Sequence, residues 1–352
     1  MSAFAQQLIC WHKQHGRHGL PWQGSRDPYA VWLSEIMLQQ TQVSSVIPYY
    51  RRFLGSFPDI AALAAAEGDE VLAHWSGLGY YSRARNLHRA AQIMAEQHAG
   101  EFPREFEHIQ ALPGIGRSTA AAISAFAFGA RRAILYGNVK RVLARYLAVA
   151  GYPGEKKVED LLWRHAEALL PENGIEIYTQ ALMDLGATLC KRGKPECASC
   201  PVSADCIARQ QGRQGVFPQP RPRKSLPEKA TTMLLFMRQG EIFLEKRPPA
   251  GIWGGLWSFP ESDGTEDAQR QGEMRFGFES GPPEPAPVMR HVFTHFRLHI
   301  QPLLINVRRI RPGARQQDGV WLTVDDAMEV AIPTPVRKLL AGLGRPERKG
   351  LS

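Results

Sequence analysis

The chain has 352 residues, 44% hydrophobic and 22% charged, an ordinary globular composition that excludes a disordered or fibrous protein. At roughly 100–200 residues per domain the length predicts two domains. No apolar run nears the roughly 18–20 residues of a membrane span and no signal-peptide pattern opens the chain, so the expected setting is the cytoplasm rather than the membrane or the exterior. Lys and Arg total 43 against 34 Asp and Glu, and this net charge of +9 makes nucleic acid the leading partner class.

Residues 1–210 read as mainly helical, with helix-period apolar stretches at Tyr29–Leu38, Ala61–Trp75, Ser118–Phe128 and Val139–Val149. Asp27-Pro28 is a good helix start, an N-cap followed by N1. From 211 to 229 the chain turns basic and proline-rich, with Pro218, Pro220, Pro222 and Pro227 interleaved with Arg213, Arg221, Arg223, Lys224 and Lys229. This composition predicts an extended, semi-rigid linker. Beyond 230 the period becomes two. Thr231–Met237, a turn at Gln239-Gly240 and Glu241–Arg247 predict a hairpin, and Val292–Ile300 predicts a further strand. Asp325–Leu343 is helical, interrupted by Pro333 and Pro335. The expectation is an all-α domain over 1–210, a linker over 211–229 and an α+β domain over 230–352.

Three motifs carry chemistry. Leu112-Pro113-Gly114-Ile115-Gly116-Arg117-Ser118-Thr119 joins two helical patterns; its glycines permit a tight turn with N–H groups facing outward, a ready anion site. Arg117 adds a charge, and Ser118 or Thr119 can cap the following helix. Four of the five cysteines, Cys190, Cys197, Cys200 and Cys206, fall in one short stretch, C-x6-C-x2-C-x5-C. Four thiolates there can ligate zinc or a four-iron cluster, and without a secretory signal they do not read as a disulfide framework. Glu35 has Val31, Trp32 and Leu38 as helical neighbours. A carboxylate on such an apolar row loses hydration, which raises its pKa and suits a general acid.

These strings, with Leu20-Pro21-Trp22, WLSEIMLQQTQ (Trp32–Gln42), GLGYYSRARNLH (Gly77–His88) and GNVKRVLAR (Gly137–Arg145), resemble the MutY-type adenine DNA glycosylases. Those belong to the helix-hairpin-helix, endonuclease III superfamily and carry a MutT-like (Nudix-fold) C-terminal domain. The resemblance implies an all-α glycosylase domain with a [4Fe–4S] loop on the four cysteines, then an α+β Nudix-like domain. It implies removal of adenine mispaired with 8-oxoguanine or guanine in nucleoid DNA, by hydrolysis after base flipping, and a monomer on DNA is the simplest expectation. Glu35 is then the catalytic acid, and His18, Trp22, Ser118 and Asp184 surround the adenine. Gln40, Thr41, Leu78, Tyr80, Gly114, Gly116 and Lys140 meet DNA, with Arg83 and Arg85 serving phosphates or facing solvent. His291, Phe293, Thr294 and His295 sense the lesion. A monovalent cation at the hairpin turn is also implied.

The chain departs from this pattern at three places. Tyr136 stands just before Gly137-Asn138-Val139, where the family has an aspartate whose charge meets the cationic sugar. A phenol with pKa near 10 is neutral at pH 7 and supplies no such charge unless a nearby base or cation favours phenolate. Thr294 replaces a serine but keeps a hydroxyl. The acidic helix of true pyrophosphohydrolases is missing after Gly254–Pro260, so nucleotide hydrolysis is not expected. Tyr136 therefore opens a second reading, a protein that occupies the lesion without cutting. A third, an endonuclease III-like glycosylase/lyase, conflicts with Ser118, which stands where bifunctional relatives carry a Schiff-base lysine.

Overall fold

The computed structural model describes residues 2–222, 225–249, 251–262, 268–312 and 319–343. They form two compact units, Met1–Ala66 with Ser82–Arg223, and Glu67–Tyr81 with Lys224–Ser352.

The first unit is helical. Its elements are α1 (Ala3–His15), α2 (Pro28–Leu38), α3 (Val43–Ser56) and α4 (Ile60–Ala65); α5 (Gly68–Trp75) belongs to the second unit. Then follow α6 (Ser82–Gln97), α7 (Phe106–Ala111), α8 (Arg117–Phe128), α9 (Gly137–Tyr146), α10 (Lys156–Ala168), α11 (Ile175–Thr188) and α12 (Ile207–Gln210). The Asp27 carboxylate accepts from the N–H groups of Tyr29 and Ala30, and Pro28 sits at N1, so α2 begins where its sequence says it should. Every residue of α2 from Tyr29 to Met37 is buried, which makes it the central helix of the unit. Gly186 lets α11 cross the start of α9, because a Cβ there would lie 2.7 Å from Asn138 Cβ.

Three expectations are corrected. The stretch Ala61–Trp75 is not one helix: Ala66 turns extended and Gly68, a weak helix former, restarts the chain as α5. The segment 67–81 also leaves the first 210 residues for the second unit. There Asp69 pairs with Lys246 at 2.6 Å, Ser76 accepts from Arg337 at 2.9 Å, and Tyr81 donates to the Ile332 carbonyl at 3.0 Å. The described part of the expected linker up to 222 groups with the first unit, held by carbonyl contacts to a buried arginine; Arg223 and Lys224 lie outside the described residues.

The second unit is a mixed sheet between helices. Its strands are β1 (Glu228–Arg238), β2 (Glu241–Lys246), β3 (Trp257–Ser258), β4 (Glu261–Ser262), β5 (Phe278–Ser280), β6 (Glu284–Pro285), β7 (Met289–Val292), β8 (Arg297–Ile310) and β9 (Gly319–Thr323). β1 runs parallel to β8 from Glu228↔Arg297 to Met237↔Asn306, and antiparallel to β2 through a turn with positive φ at Gln239 and Gly240. The middle of β1, Met233–Phe236, is buried on both faces rather than alternating. Met233 and Leu235 face α14 (Val324–Glu329) and α15 (Thr334–Leu343), while Leu234 and Phe236 face α13 (Ala268–Phe276). A strand covered on both sides reads as a continuous apolar run. Val292–Ile300 is likewise not one strand: β7 ends at Val292, a turn occupies 293–296, and β8 starts at Arg297.

Candidate active site

Glu35 is 7% exposed in the middle of α2, yet it lines a cavity of about 1670 Å³ in the first unit. Burial pushes its carboxyl up to about 7, against a smaller opposing pull from a hydrogen bond donated by Tyr136. That bond is 2.6 Å from the phenol Oη to Glu35 Oε2, and Thr119 Oγ1 lies 3.4 Å from the same hydroxyl. Burial, then the charge of Glu35, drive the phenol of Tyr136 well above its ordinary value. The neighbour of Tyr136 is therefore an acid that discourages phenolate, not a base or cation that would favour it. Tyr136 is a neutral donor.

Position 136 is also the N-cap of α9, where the phenol makes no capping bond. An aspartate at such a place accepts from the first N–H groups of the helix and keeps its charge beside the positive end of the helix dipole. Tyrosine supplies neither the cap nor the anion.

Trp22 and His18 line the same cavity. Trp22 is buried with its ring edge-on to Tyr50 at 5.3 Å, and His18 Nε2 lies 2.9 Å from the His12 carbonyl. Ser118 and Asp184 do not line it. Ser118 Oγ accepts the Leu135 N–H at 2.9 Å, which fixes the strand of chain leading to Tyr136. Asp184 is fully buried behind the wall, and its carboxylate is already engaged. It accepts from Arg17 N at 2.9 Å, Arg17 Nε at 2.8 Å and Gln180 Nε2 at 2.8 Å, with His12 Nε2 at 3.3 Å. Burial alone would raise this carboxyl, but the bonds from His12 and Arg17 prevail and hold it below its ordinary value. Both residues thus stand behind residues that line the cavity rather than among them.

Gln40 and Thr41 lie at the rim, Gln40 with φ of 59°. Lys140 lines the cavity but pairs with Glu159 at 2.6 Å, so its charge is shared before any phosphate arrives. At the hairpin turn Gly114 has φ of 79°, and a Cβ there would come within 2.9 Å of Asn86 Cβ. Gly116 caps α8 without a side-chain bond, so neither Ser118 nor Thr119 is the cap; Arg117 turns to Glu167 and stacks on Trp163 at 3.9 Å. The carbonyls of Leu112 and Gly114 already accept from Ile115 N at 3.2 Å and Gln39 Nε2 at 3.5 Å.

In the second unit, Leu78 is buried while Tyr80 is 46% exposed and holds φ of 51°. Phe293 stacks on Phe296 at 4.4 Å and leans on Trp253 at 5.7 Å, so the turn between β7 and β8 is anchored by its aromatic ring. Thr294 and His295 stay exposed at its tip, and His291 packs edge-on to Phe293 at 4.6 Å. Burial, then Lys338, lower the His291 imidazole below its ordinary value, favouring the neutral ring.

Cys190, Cys197, Cys200 and Cys206 line one small apolar pocket with Val142, Leu185 and Arg145. Among the described residues no three metal-binding side chains stand at closed-site spacing. The donor set itself, four thiols converging on one pocket, fits a thiophilic group of four ligands.

Arg83 stands elsewhere than its sequence suggests, and Arg141 and Arg145 have structural roles that no sequence signal assigned. Arg83, expected at phosphates or in solvent, is buried: Nη1 donates to the carbonyls of Ile36 (2.9 Å), Met37 (2.8 Å) and Gln39 (2.7 Å), and Nη2 to Thr41 Oγ1 (3.1 Å). It satisfies the open carbonyl end of α2. The signal was there, since Arg83 continues the buried stripe Leu87, Ala90, Ala91 and Met94. Arg141 joins Asn138 Oδ1 (2.7 Å) to the carbonyls of Gly186 (2.7 Å) and Cys190 (2.8 Å). Arg145, 3% exposed, continues the buried row of Val142.

Residues 33–168 match the HhH-GPD superfamily of base excision DNA repair proteins, and residues 231–342 match the NUDIX domain. The chain is similar to the adenine DNA glycosylase of Buchnera aphidicola subsp. Acyrthosiphon pisum (strain APS), 38% identical over 339 residues that cover 96% of each chain. It is similar to the human adenine DNA glycosylase, 33% identical over 407 residues that cover 96% of this chain and 73% of that one. Among solved structures it resembles a thermostable thymine-DNA glycosylase, with TM-score 0.55 and 28% identity over 59% of this chain and 95% of that one. No helix among the described residues is long and apolar enough to cross a membrane. With both regions matched in order and relatives aligned nearly end to end, the chain belongs to the adenine DNA glycosylase family.

Proposed function

We propose that the protein is a base-excision-repair glycosylase that binds duplex DNA and hydrolyses the N-glycosidic bond of adenine standing opposite 8-oxoguanine or guanine. The observation that carries this is Glu35, a buried carboxyl raised to about 7 that faces a cavity large enough for a flipped purine. Near neutral pH it keeps a proton to give to a ring nitrogen. As the bond from sugar to base breaks, its electron pair leaves with the base. Water then adds to the cationic sugar carbon and loses a proton. Trp22 and His18 flank the base, with Asp184 and Ser118 positioning from behind. Gln40, Thr41, Leu78, Tyr80, the Gly114–Gly116 turn and Lys140 serve the duplex, and His291, Phe293, Thr294 and His295 read the oxidised guanine.

Tyr136 sets the rate. Tyr136 places no anion beside the sugar cation, because the phenol is neutral and its hydrogen goes to Glu35. Loss of one charge-stabilising group costs on the order of 10²–10³ in rate. We therefore read this chain as a slow glycosylase that keeps its DNA binding. The same hydrogen bond favours a second reading, occupancy of the lesion without excision. Single-turnover adenine release from an 8-oxoguanine:adenine duplex, beside a binding assay on the same duplex, separates the two. No release with tight binding selects the second.

The four cysteines would hold a [4Fe–4S] cluster, which when bound supplies four metal–thiolate bonds that tie the loop together. Domain roles follow the same reading, with excision in the first unit and lesion recognition in the second.

A further inference from the structure

Arg145 lies on the buried face of α9 and reaches two stretches of chain that are otherwise separate. Its Nη1 donates to Cys190 Sγ at 3.3 Å and to the Lys191 carbonyl at 2.7 Å. Its Nε donates to the carbonyls of Gln214 at 2.9 Å and Phe217 at 2.8 Å. Its own carbonyl accepts from Cys206 Sγ at 3.5 Å. One buried guanidinium therefore holds the first cysteine of the loop on one side and the start of the basic segment on the other, while the backbone of the same residue meets the last cysteine. Phe217 is 3% exposed, and Gln219 Oε1 accepts from Gly151 N at 3.1 Å, so the segment is seated rather than trailing. Gly215, Phe217, Gln219 and Arg221 line the same cavity as Glu35.

We propose that Arg145 is a clasp that makes seating of residues 214–221, one wall of the excision cavity, depend on metal occupancy of the cysteine loop. The coupling rests on the iron–sulfur reading of the loop, whereas the clasp itself rests on the hydrogen bonds. A metal-bound thiolate is a stronger acceptor than a free thiol, so the N–H···S bond tightens when Cys190 is a ligand. The guanidinium is then fixed with its Nε aimed at Gln214 and Phe217. A buried arginine needs all its acceptors, so loosening one side loosens the other.

The test uses the full chain, with iron measured on every sample, and follows trypsin cleavage after Arg213, the bond that opens the segment. Cleavage of a native protein tracks how often the segment lifts away. Wild type carrying iron is expected to be cut at least about tenfold more slowly there than wild type stripped by a chelator. Arg145→Met, with its four cysteines intact, is expected to keep iron and to be cut at the fast rate regardless. Iron-loaded Arg145→Met cut at the wild-type rate overturns the clasp. Equal cleavage of wild type with and without iron overturns the coupling. If purified wild type binds no iron, the cofactor reading fails by itself, and equal cleavage of the two metal-free chains then overturns the clasp. Should Arg145→Met not fold, hydrogen exchange at the amides of Gly215, Val216, Phe217 and Gln219 in wild type decides: protection unchanged by iron removal overturns the proposal.

Discussion

Glu35 is stable where it is only because it can hold a proton. Its carboxyl is raised from an ordinary 4.5 to about 7 by burial. Between those pH values the folded protein keeps a proton that the unfolded chain releases, so stability falls as pH rises through the window and levels off above it. The whole loss is on the order of 3 kcal/mol. Glu35→Gln keeps the shape and cannot ionise, so its stability relative to wild type should grow by about that much from pH 5 to pH 8 while excision disappears. Urea unfolding at the two pH values checks this, and an equal difference at both would contradict the burial argument. The burial of Glu35 was legible in sequence because its helical neighbours are apolar, whereas its role as the acid is carried by the family resemblance. The partnership with Tyr136 was not, since 101 residues separate the two and only the fold brings them to 2.6 Å.

The element that matters most is α2, and its carbonyl end depends on Arg83. Hydrogen bonds from that side chain go to three carbonyls and one hydroxyl at the end of the helix. Arg83→Met should cost about 2–4 kcal/mol, because buried carbonyls lose a charged donor. Thermal unfolding should show this, and a variant as stable as wild type would mean that α2 needs no such cap. The start of α2 was readable from Asp27-Pro28, because a cap is local chemistry. Its end was not, because the arginine that closes it comes from another helix. The same contrast holds at Asp184. An acid in an apolar helix announces a buried partner, but sequence alone does not say that the partners are Arg17, His12 and Gln180 rather than a base.

At the scale of the molecule, the change of pattern after residue 230 revealed two units, yet it hid the fact that 67–81 leaves the helical half. That assignment is tertiary: Asp69, Ser76 and Tyr81 find Lys246, Arg337 and Ile332 far along the chain. Eight residues of α5 do not hold a helix without packing. In a fragment ending at residue 223, hydrogen exchange over 68–75 should lose its protection while α2 retains it. Protection of α5 in that fragment would return the segment to the first unit.

The most direct test of the account is single-turnover adenine release from an 8-oxoguanine:adenine duplex by wild type and by Tyr136→Asp, with enzyme in excess. The substitution places an anion beside the sugar, caps α9 and removes the phenol from Glu35. Release should rise by on the order of 10²–10³ while duplex affinity stays the same. Equal rates for the two proteins would contradict the claim that Tyr136 is what limits this site.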